Sequence, residues 1–223
     1  AVFPEQALGG YPALDLWEER GFAEANEKVL ASLAKKIRGT AALVGYISRG
    51  NGRMGKPMRN SAALLHNGKV MAVRHKTLLP TYDVFDEARY FAPAAENKPI
   101  AWGGLKLGVS ICEDAWSVDP LTKRRLYPVD PIASQVKAGA ELLLNLSASP
   151  YVHGKTSIRR ALLAHHARRH GTPLIYCNAV GGNDELVFDG GSLAYDAKGK
   201  LRARAAFAAC DLIREHKPDL VVT

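Results

Sequence analysis

Three separate segments of the chain provide a carboxylate, an amine and a thiol, each after an apolar run. They are Glu5 in FPEQALGGYP, Lys76 in VRHKTLLPTYDVFDEARYF and Cys112 in LGVSICEDAW. Attack on an amide carbonyl needs a nucleophile, a base that takes its proton, and a cation or N–H donor that stabilises the oxyanion. The three residue types together indicate hydrolysis through a thiol.

Cys112 is the candidate nucleophile, although a lone cysteine at the end of an apolar strand is more often an inert core residue. Glu113, Asp114 and Trp116 follow it closely, and such polar and bulky residues suit the wall of a cleft. Taken alone, Lys76 could be an ordinary exposed lysine, and Glu5 could begin a solvated loop. The assignment therefore depends on the three residues in combination.

The other two cysteines have no comparable setting. Cys177 lies inside the apolar run LIYCNAV and is predicted to be a core residue, and Cys210 is predicted to be structural or at the surface. Three cysteines without a CxxC pattern fit reduced thiols in a cytoplasmic protein and give no zinc site. No targeting segment or membrane-spanning run is apparent, which predicts no membrane partner.

Length and charge set further bounds. A chain of 223 residues with 47% hydrophobic content can fold as one domain, so residues 1–223 are predicted to form a single unit. The net charge of +8 comes from basic residues that cluster only modestly. No nucleic-acid-binding motif accompanies them, and we predict no nucleic-acid partner.

Helical and strand periodicities alternate along the chain. Apolar spacing predicts an amphipathic helix over residues 18–37, and further helices run from Pro131 to Ala140 and from Lys155 to His170. A hairpin is expected at Asn67-Gly68, and a second in SLAYDAKGKLRARAAF. Strands are expected in AALVGYI, GGLKLGVSI, AELLLNLSAS and PLIYCNAV, and turns at Gly181-Gly182 and Gly190-Gly191.

This mixture favours an α/β layered fold with a mixed sheet. The sequence has neither GxGxxG nor GxxxxGK[ST], so it offers no phosphate-binding loop, and a plain Rossmann fold is disfavoured.

The helix from Lys155 to His170 is strongly basic. His166 and His170 have the spacing of metal ligands on one helical face, but the intervening HARRH pattern lacks a glutamate and its arginines would repel a cation. We therefore predict no metal site. The basic residues are expected to face solvent or an interface.

The three motifs resemble those of the nitrilase superfamily of carbon–nitrogen hydrolases. They are most similar to the glutamine-hydrolysing domains of glutamine-dependent NAD synthetases, as are NLSASPY and GGNDELVFDGGS. The resemblance implies a nitrilase-type four-layer α-β-β-α sandwich that is N-terminally truncated, with its first strand and helix missing. A C-terminal synthetase domain is also expected to be missing, because no SGGxDS loop occurs in the sequence.

Residue roles follow from the same resemblance. Glu5 would be the general base, Lys76 the cation that stabilises the oxyanion, and Cys112 the nucleophile, with Glu87 as a supporting carboxylate. The residues expected to contact glutamine are Tyr82, Ser149 and Lys155.

The resemblance also implies an activity and partners. The chain would hydrolyse the side-chain amide of glutamine through a cysteine thioester. The released ammonia would serve ATP-dependent amidation of deamido-NAD to NAD by the missing synthetase domain. Hydrolysis would need no cofactor, whereas ATP and Mg²⁺ would belong to the synthetase domain. Assembly as a homo-oligomer is expected.

Two alternative functions remain open. The first is a free-standing nitrilase-family amidase that acts on another small amide. The second, from a different class, is a non-catalytic structural or nucleic-acid-binding domain.

Overall fold

Two β-sheets and the helices that cover them make up the fold. The computed structural model describes residues 1–50, 55–119, 122 and 124–205. The helices are α1 (Phe22–Lys36), α2 (Glu87–Tyr90), α3 (Pro131–Lys137) and α4 (Lys155–His170), and 3-10 turns form at Leu14–Trp17 and Cys112–Ala115. The strands are β1 (Ala42–Arg49), β2 (Met58–His66), β3 (Lys69–His75), β4 (Ile100–Trp102), β5 (Leu105–Ile111), β6 (Leu142–Ser147), β7 (Leu174–Asn178), β8 (Val180–Asn183), β9 (Leu186–Asp189), β10 (Leu193–Tyr195) and β11 (Leu201–Arg204).

The two sheets differ in their strand directions. The first is antiparallel, in the order β1-β2-β3. The second has the order β11-β10-β7-β6-β5-β4; β5, β6 and β7 are parallel, and the strands outside them are antiparallel. Strands β8 and β9 form a separate hairpin.

Alternation along the strands produces the layers, because successive side chains point to opposite faces. One face of each sheet packs against the other sheet, as Leu43 and Leu64 of the first sheet do with Val109 and Leu146 of the second. The opposite face of the first sheet is covered by α1, and that of the second by α3 and α4. The chain therefore has the expected α-β-β-α order of layers, and this prediction is confirmed.

Most local predictions agree with the structure. Helix α4 has the predicted bounds, and Gly171 ends it in a left-handed conformation. Asn67 and Gly68 both have positive φ in the turn between β2 and β3, as this type of hairpin requires. The second predicted hairpin appears as β10 and β11, and its last residues, 206–207, lie outside the described residues. Cys210, which was predicted to be structural or at the surface, also lies outside them.

Two predictions are wrong. Gly181 and Gly182 lie in strand β8, and the turn of that hairpin comes later, where Asp184 adopts a φ of 53°. Helix α4 also does not expose all of its basic residues: Arg159 and His166 are buried. Its inner face packs on the second sheet, so some basic positions had to be buried together with the apolar ones.

Three of the candidate residues lie just after the ends of strands. Lys76 follows β3, Cys112 follows β5, and Ser149 lies just beyond β6. The segment before Glu5 runs alongside β1, where the Phe3 N–H donates to the Leu43 carbonyl over 2.8 Å. The residues predicted to act together are therefore brought together at strand ends. Within the described residues, no helix combines the length and the apolar character that crossing a membrane requires.

Candidate active site

The Lys76 ammonium lies between two carboxylates. Its Nζ donates to Glu5 Oε1 over 2.8 Å and to Glu87 Oε1 over 2.7 Å. All three side chains are at most 2% exposed. The structure thus brings Lys76 and Glu5, which are 71 positions apart in the chain, into one buried ionic cluster with Glu87.

Several groups fix the Glu5 carboxylate. Asn60 Nδ2 donates to Oε1 over 2.7 Å, and the Ala148 backbone N–H donates to Oε2 over 2.9 Å. Gly45 in β1 permits this arrangement, since a Cβ at that position would lie only 2.2 Å from the Pro4 carbonyl oxygen. The Glu5 side chain is therefore held by both sheets and by the loop end that carries Lys76.

Cys112 begins the 3-10 turn after β5 and has a φ of 42°, in the left-handed region. A non-glycine residue adopts this conformation only when its surroundings enforce it. Asp114 supplies part of this constraint: its carboxylate accepts hydrogen bonds from the N–H groups of Thr77, Leu78 and Ile111. Asp114 thus ties the turn that begins at Cys112 to the segment just after Lys76. It is fully buried, so the prediction that it lines a cleft is wrong.

The charges in the cluster depend on one another. Burial alone would lower the pKa of Lys76, but the carboxylates of Glu5 and Glu87 raise this pKa well above its usual value. Burial raises the pKa of Glu87 to about 7; Lys76 opposes this shift, and Glu5 adds to it. The Tyr11 hydroxyl also donates to Glu87 over 2.9 Å. Lys76 therefore stays charged, while Glu87 titrates near neutrality.

The thiol of Cys112 has a raised pKa, chiefly because it is buried and also because Glu5 repels a thiolate; Lys76 partly offsets these effects. The side chain of Cys112 is therefore a neutral thiol at rest. If Cys112 acts as a nucleophile, it needs a base at the moment of reaction, because no stable thiolate is present beforehand.

A second group of polar side chains surrounds Glu113, the residue after Cys112. Its carboxylate accepts hydrogen bonds from the Tyr82 hydroxyl over 2.9 Å and from the Tyr127 hydroxyl over 2.8 Å. Lys155 lies at the start of α4, with its Nζ 5.9 Å from the ring centre of Trp116. Burial lowers the pKa of Lys155, while Cys112 and Glu113 act in the opposite direction. A carboxylate and an ammonium therefore lie close enough to the thiol to influence it.

Ser149 belongs to a buried network behind this group. Arg159 forms an ion pair with Asp189 over 3.0 Å and donates to the Ser149 hydroxyl over 3.3 Å. Asn178 accepts the Ser149 N–H over 2.9 Å. Arg159 thus connects α4 with Ser149 and with the end of β9.

Sequence reasoning missed the roles of several residues at the site. Asn60, Asp114 and Arg159 hold the candidate residues in place, and Glu113 organises Tyr82 and Tyr127. Asp114 and Glu113 follow Cys112 in the chain, a signal that could have been used, whereas nothing local distinguishes Asn60. Among the described residues, no group of three or more histidine, cysteine, aspartate or glutamate side chains is arranged to hold a metal ion.

Comparison with known proteins places these observations in a family. A model of the carbon-nitrogen hydrolase family matches residues 1–213. The glutamine-dependent NAD(+) synthetase of Synechocystis is 45% identical over 213 residues, which cover 94% of this chain and 38% of that protein. The chain thus spans little more than a third of this relative.

Solved structures give the same picture. The glutamine-dependent NAD+ synthetase of Acinetobacter baumannii superposes with a TM-score of 0.81 at 31% identity, over 92% of this chain and 36% of that one. An amidase from Nesterenkonia superposes with a TM-score of 0.73 at 25% identity, over 92% of this chain and 72% of that one.

Proposed function

Since the chain belongs to the carbon-nitrogen hydrolase family, we propose that it hydrolyses the side-chain amide of glutamine, with Cys112 as nucleophile, Glu5 as general base and Lys76 as oxyanion-stabilising cation. The observation that supports this best is the buried Glu5–Lys76–Glu87 cluster, whose charges act directly on the Cys112 thiol. Burying three charged groups is costly, and the reaction gives each of them a use.

In the first half of the reaction, the thiol sulfur attacks the amide carbon and Glu5 takes the thiol proton. Lys76 and a backbone N–H stabilise the negative charge that develops on the carbonyl oxygen. Glu5 then returns its proton to the amide nitrogen as the C–N bond breaks. Ammonia leaves, and the acyl group stays on Cys112 as a thioester.

In the second half, Glu5 takes a proton from water, which attacks the thioester carbon. The C–S bond breaks, glutamate leaves, and the sulfur recovers a proton from Glu5. Glu87 supports both halves. Together with Glu5 it holds Lys76 between two carboxylates, and burial raises its pKa to about 7.

The group around Glu113 supports an amino-acid substrate in particular. Glu113 suits an α-ammonium group, and Lys155 suits an α-carboxylate. Tyr82 and Ser149 add hydroxyl groups that can donate or accept. A simple amide would have no use for this pair of opposite charges.

The nucleophile is tested by comparing two cysteines. Cys112→Ala should abolish release of ammonia from glutamine, while Cys177→Ala should retain most of it, because Cys177 lies outside the ionic cluster and donates to the Val2 carbonyl. A glutamine analogue that alkylates thiols should label Cys112 alone. Labelling of Cys177 with Cys112 left free would refute the assignment of the nucleophile. A wild-type chain that binds DNA or RNA but releases no ammonia would favour the non-catalytic alternative.

Substrate choice is tested at Lys155. Lys155→Met should raise the KM for glutamine strongly, yet change hydrolysis of a simple amide that lacks the α-carboxylate much less. The similarity to the Nesterenkonia amidase makes a free-standing amidase the second candidate. Equal losses on both substrates, or a wild-type preference for the simple amide, would favour that candidate.

The use of the ammonia is a further part of the proposal. The relatives are named glutamine-dependent NAD(+) synthetases, and we infer that a synthetase domain accepts the ammonia for ATP-dependent amidation of deamido-NAD. ATP and Mg²⁺ would act in that domain, and hydrolysis of glutamine by this chain would need no cofactor. Homo-oligomeric assembly and a cytoplasmic location stay predictions.

A further inference from the structure

Helix α4 contacts the nucleophile turn through a histidine. The Nε2 atom of His166 lies 2.7 Å from the carbonyl oxygen of Ala115, the last residue of the Cys112–Ala115 turn. A carbonyl only accepts hydrogen bonds, so Nε2 bears the proton in this pair. The two residues are 2% and 1% exposed, which excludes His166 from any role that requires contact with solvent.

This hydrogen bond satisfies a carbonyl that the turn itself leaves unpaired. The last carbonyls of a helical turn have no partner within it, and a buried carbonyl without a partner is unfavourable. The His166 ring is kept neutral: burial lowers its pKa, as do His165 and His170, while Asp130 and the hydrogen bond to Ala115 oppose the shift. The ring of His170 lies parallel to it at 6.1 Å.

The turn needs support at both ends because Cys112 has a left-handed backbone conformation. Asp114 holds the first end through the Ile111 N–H. His166 holds the last end from another layer of the fold. Without His166, the turn would keep its hydrogen bonds to the Lys76 segment but would lose its hydrogen bond to α4.

We propose that His166 is a positioning residue that fixes the nucleophile turn and thereby aims the Cys112 thiol at the substrate carbonyl. The inference rests on the proposed function in one respect, that Cys112 is the nucleophile. Lys155 and Arg159 lie on the same helix, so α4 holds the groups around the substrate and the nucleophile turn in one rigid relation.

The test compares substitutions that keep or remove the donor. In His166→Gln the amide nitrogen can take the place of Nε2, whereas His166→Asn places its amide too far back, and His166→Phe fills the space without a donor. His153→Gln serves as the control, because His153 is exposed before α4 begins. The measurements are alkylation of Cys112 by iodoacetamide, read by peptide mass spectrometry, together with kcat and KM for glutamine and the melting temperature.

We expect His166→Phe and His166→Asn to slow alkylation and lower kcat by about tenfold, the rate equivalent of one lost hydrogen bond, with little change in KM. His166→Gln should recover most of both rates. Equal losses in all three variants, or alkylation unchanged in His166→Phe and His166→Asn, would overturn the proposal. If His166→Phe fails to fold, the comparison of His166→Gln with His166→Asn decides.

The two proposals can fail separately. A wild-type chain that does not hydrolyse glutamine but still shows the expected order of alkylation rates would refute the proposed function and leave the role of His166 intact. If His166→Phe and His166→Asn hydrolysed glutamine as fast as the wild type, the role of His166 would be refuted and the proposed function would stand.

Discussion

At the scale of single residues, the main feature is a cation that neutralises two buried carboxylates. Lys76 forms ion pairs with both Glu5 and Glu87, and the three side chains are almost fully inaccessible. Removing one member of a buried ion pair typically costs about 3–5 kcal/mol, because the remaining charge is left unpaired. Removal of any one of the three side chains should therefore destabilise the fold as well as impair the proposed chemistry.

Lys76→Met should accordingly lower both activity and stability. Turnover should fall by about 10²–10³-fold, as for the loss of an oxyanion donor. Without the cation, the folded state favours the protonated carboxyl of Glu87 still more, so the pKa of Glu87, which burial already raises in the wild type, should rise further. The stability lost relative to wild type should then be small near pH 4 and should grow as the pH rises towards 8.

Urea unfolding at several pH values measures this loss. The control is Lys98→Met, because Lys98 forms an exposed pair with Glu96 at 3.7 Å, and exposed pairs contribute little. A Lys76→Met chain as stable as wild type at pH 8 would contradict the ionic account.

At the scale of elements, a close approach between two backbone segments sets the position of Glu5. Gly45 lies in β1, and the segment from Pro4 to Gln6 crosses directly over it. Any side chain at position 45 would occupy the space of that segment. The position of Glu5, the proposed general base, thus depends on the absence of a side chain on the neighbouring strand.

Gly45→Ala should displace the segment and with it the Glu5 carboxylate. Overpacking of this kind costs about 1–3 kcal/mol, and a shift of about 1 Å in a reacting group can slow a reaction by roughly 10²-fold. Gly182→Ala is the matched control, because its Cβ would meet only the Leu186 carbonyl at 3.7 Å. Glutamine turnover and melting temperature should fall for Gly45→Ala alone; unchanged turnover in that variant would show that the segment adjusts freely.

At the scale of the whole molecule, titratable groups that are buried or partly buried make stability depend on pH in opposite directions. Burial together with Arg59 and Arg74 lowers the pKa of His75 to about 4, and the pKa values of His166 and His170 are lowered as well. Burial raises the pKa of Glu87 to about 7 and that of Asp114 to about 6. As the pH falls, the lowered pKa values of the histidines reduce the stability of the folded state. The raised pKa values of these carboxyl groups increase it.

His75→Gln isolates one of these contributions. Between about pH 6.5 and pH 4 the unfolded chain binds a proton at His75 that the folded chain does not bind, so wild-type stability from this group falls as the pH falls through that window. The variant should lose less stability over the same range and should match the wild-type trend above pH 7. Urea midpoints measured from pH 4 to pH 7.5 provide the comparison, and parallel curves for the two chains would disprove the predicted titration.

The sequence alone determined the local features and indicated the family. Helix α4 has its own periodicity and a glycine end, Asn67-Gly68 specifies a hairpin, and Glu5, Lys76 and Cys112 stand in motifs that resemble one superfamily. These signals depend on residues close together in the chain, and local geometry suffices to interpret them.

Only the tertiary structure decided which groups meet. The Glu5 carboxylate accepts from the N–H of Ala148, 143 positions away, and Asn60 reaches Glu5 from a strand with no motif of its own. Burial of Arg159 and His166 depended on which face of α4 packs on the sheet. Charge and periodicity describe a helix by itself, but the partner that each buried polar group finds is set by the layers packed around it.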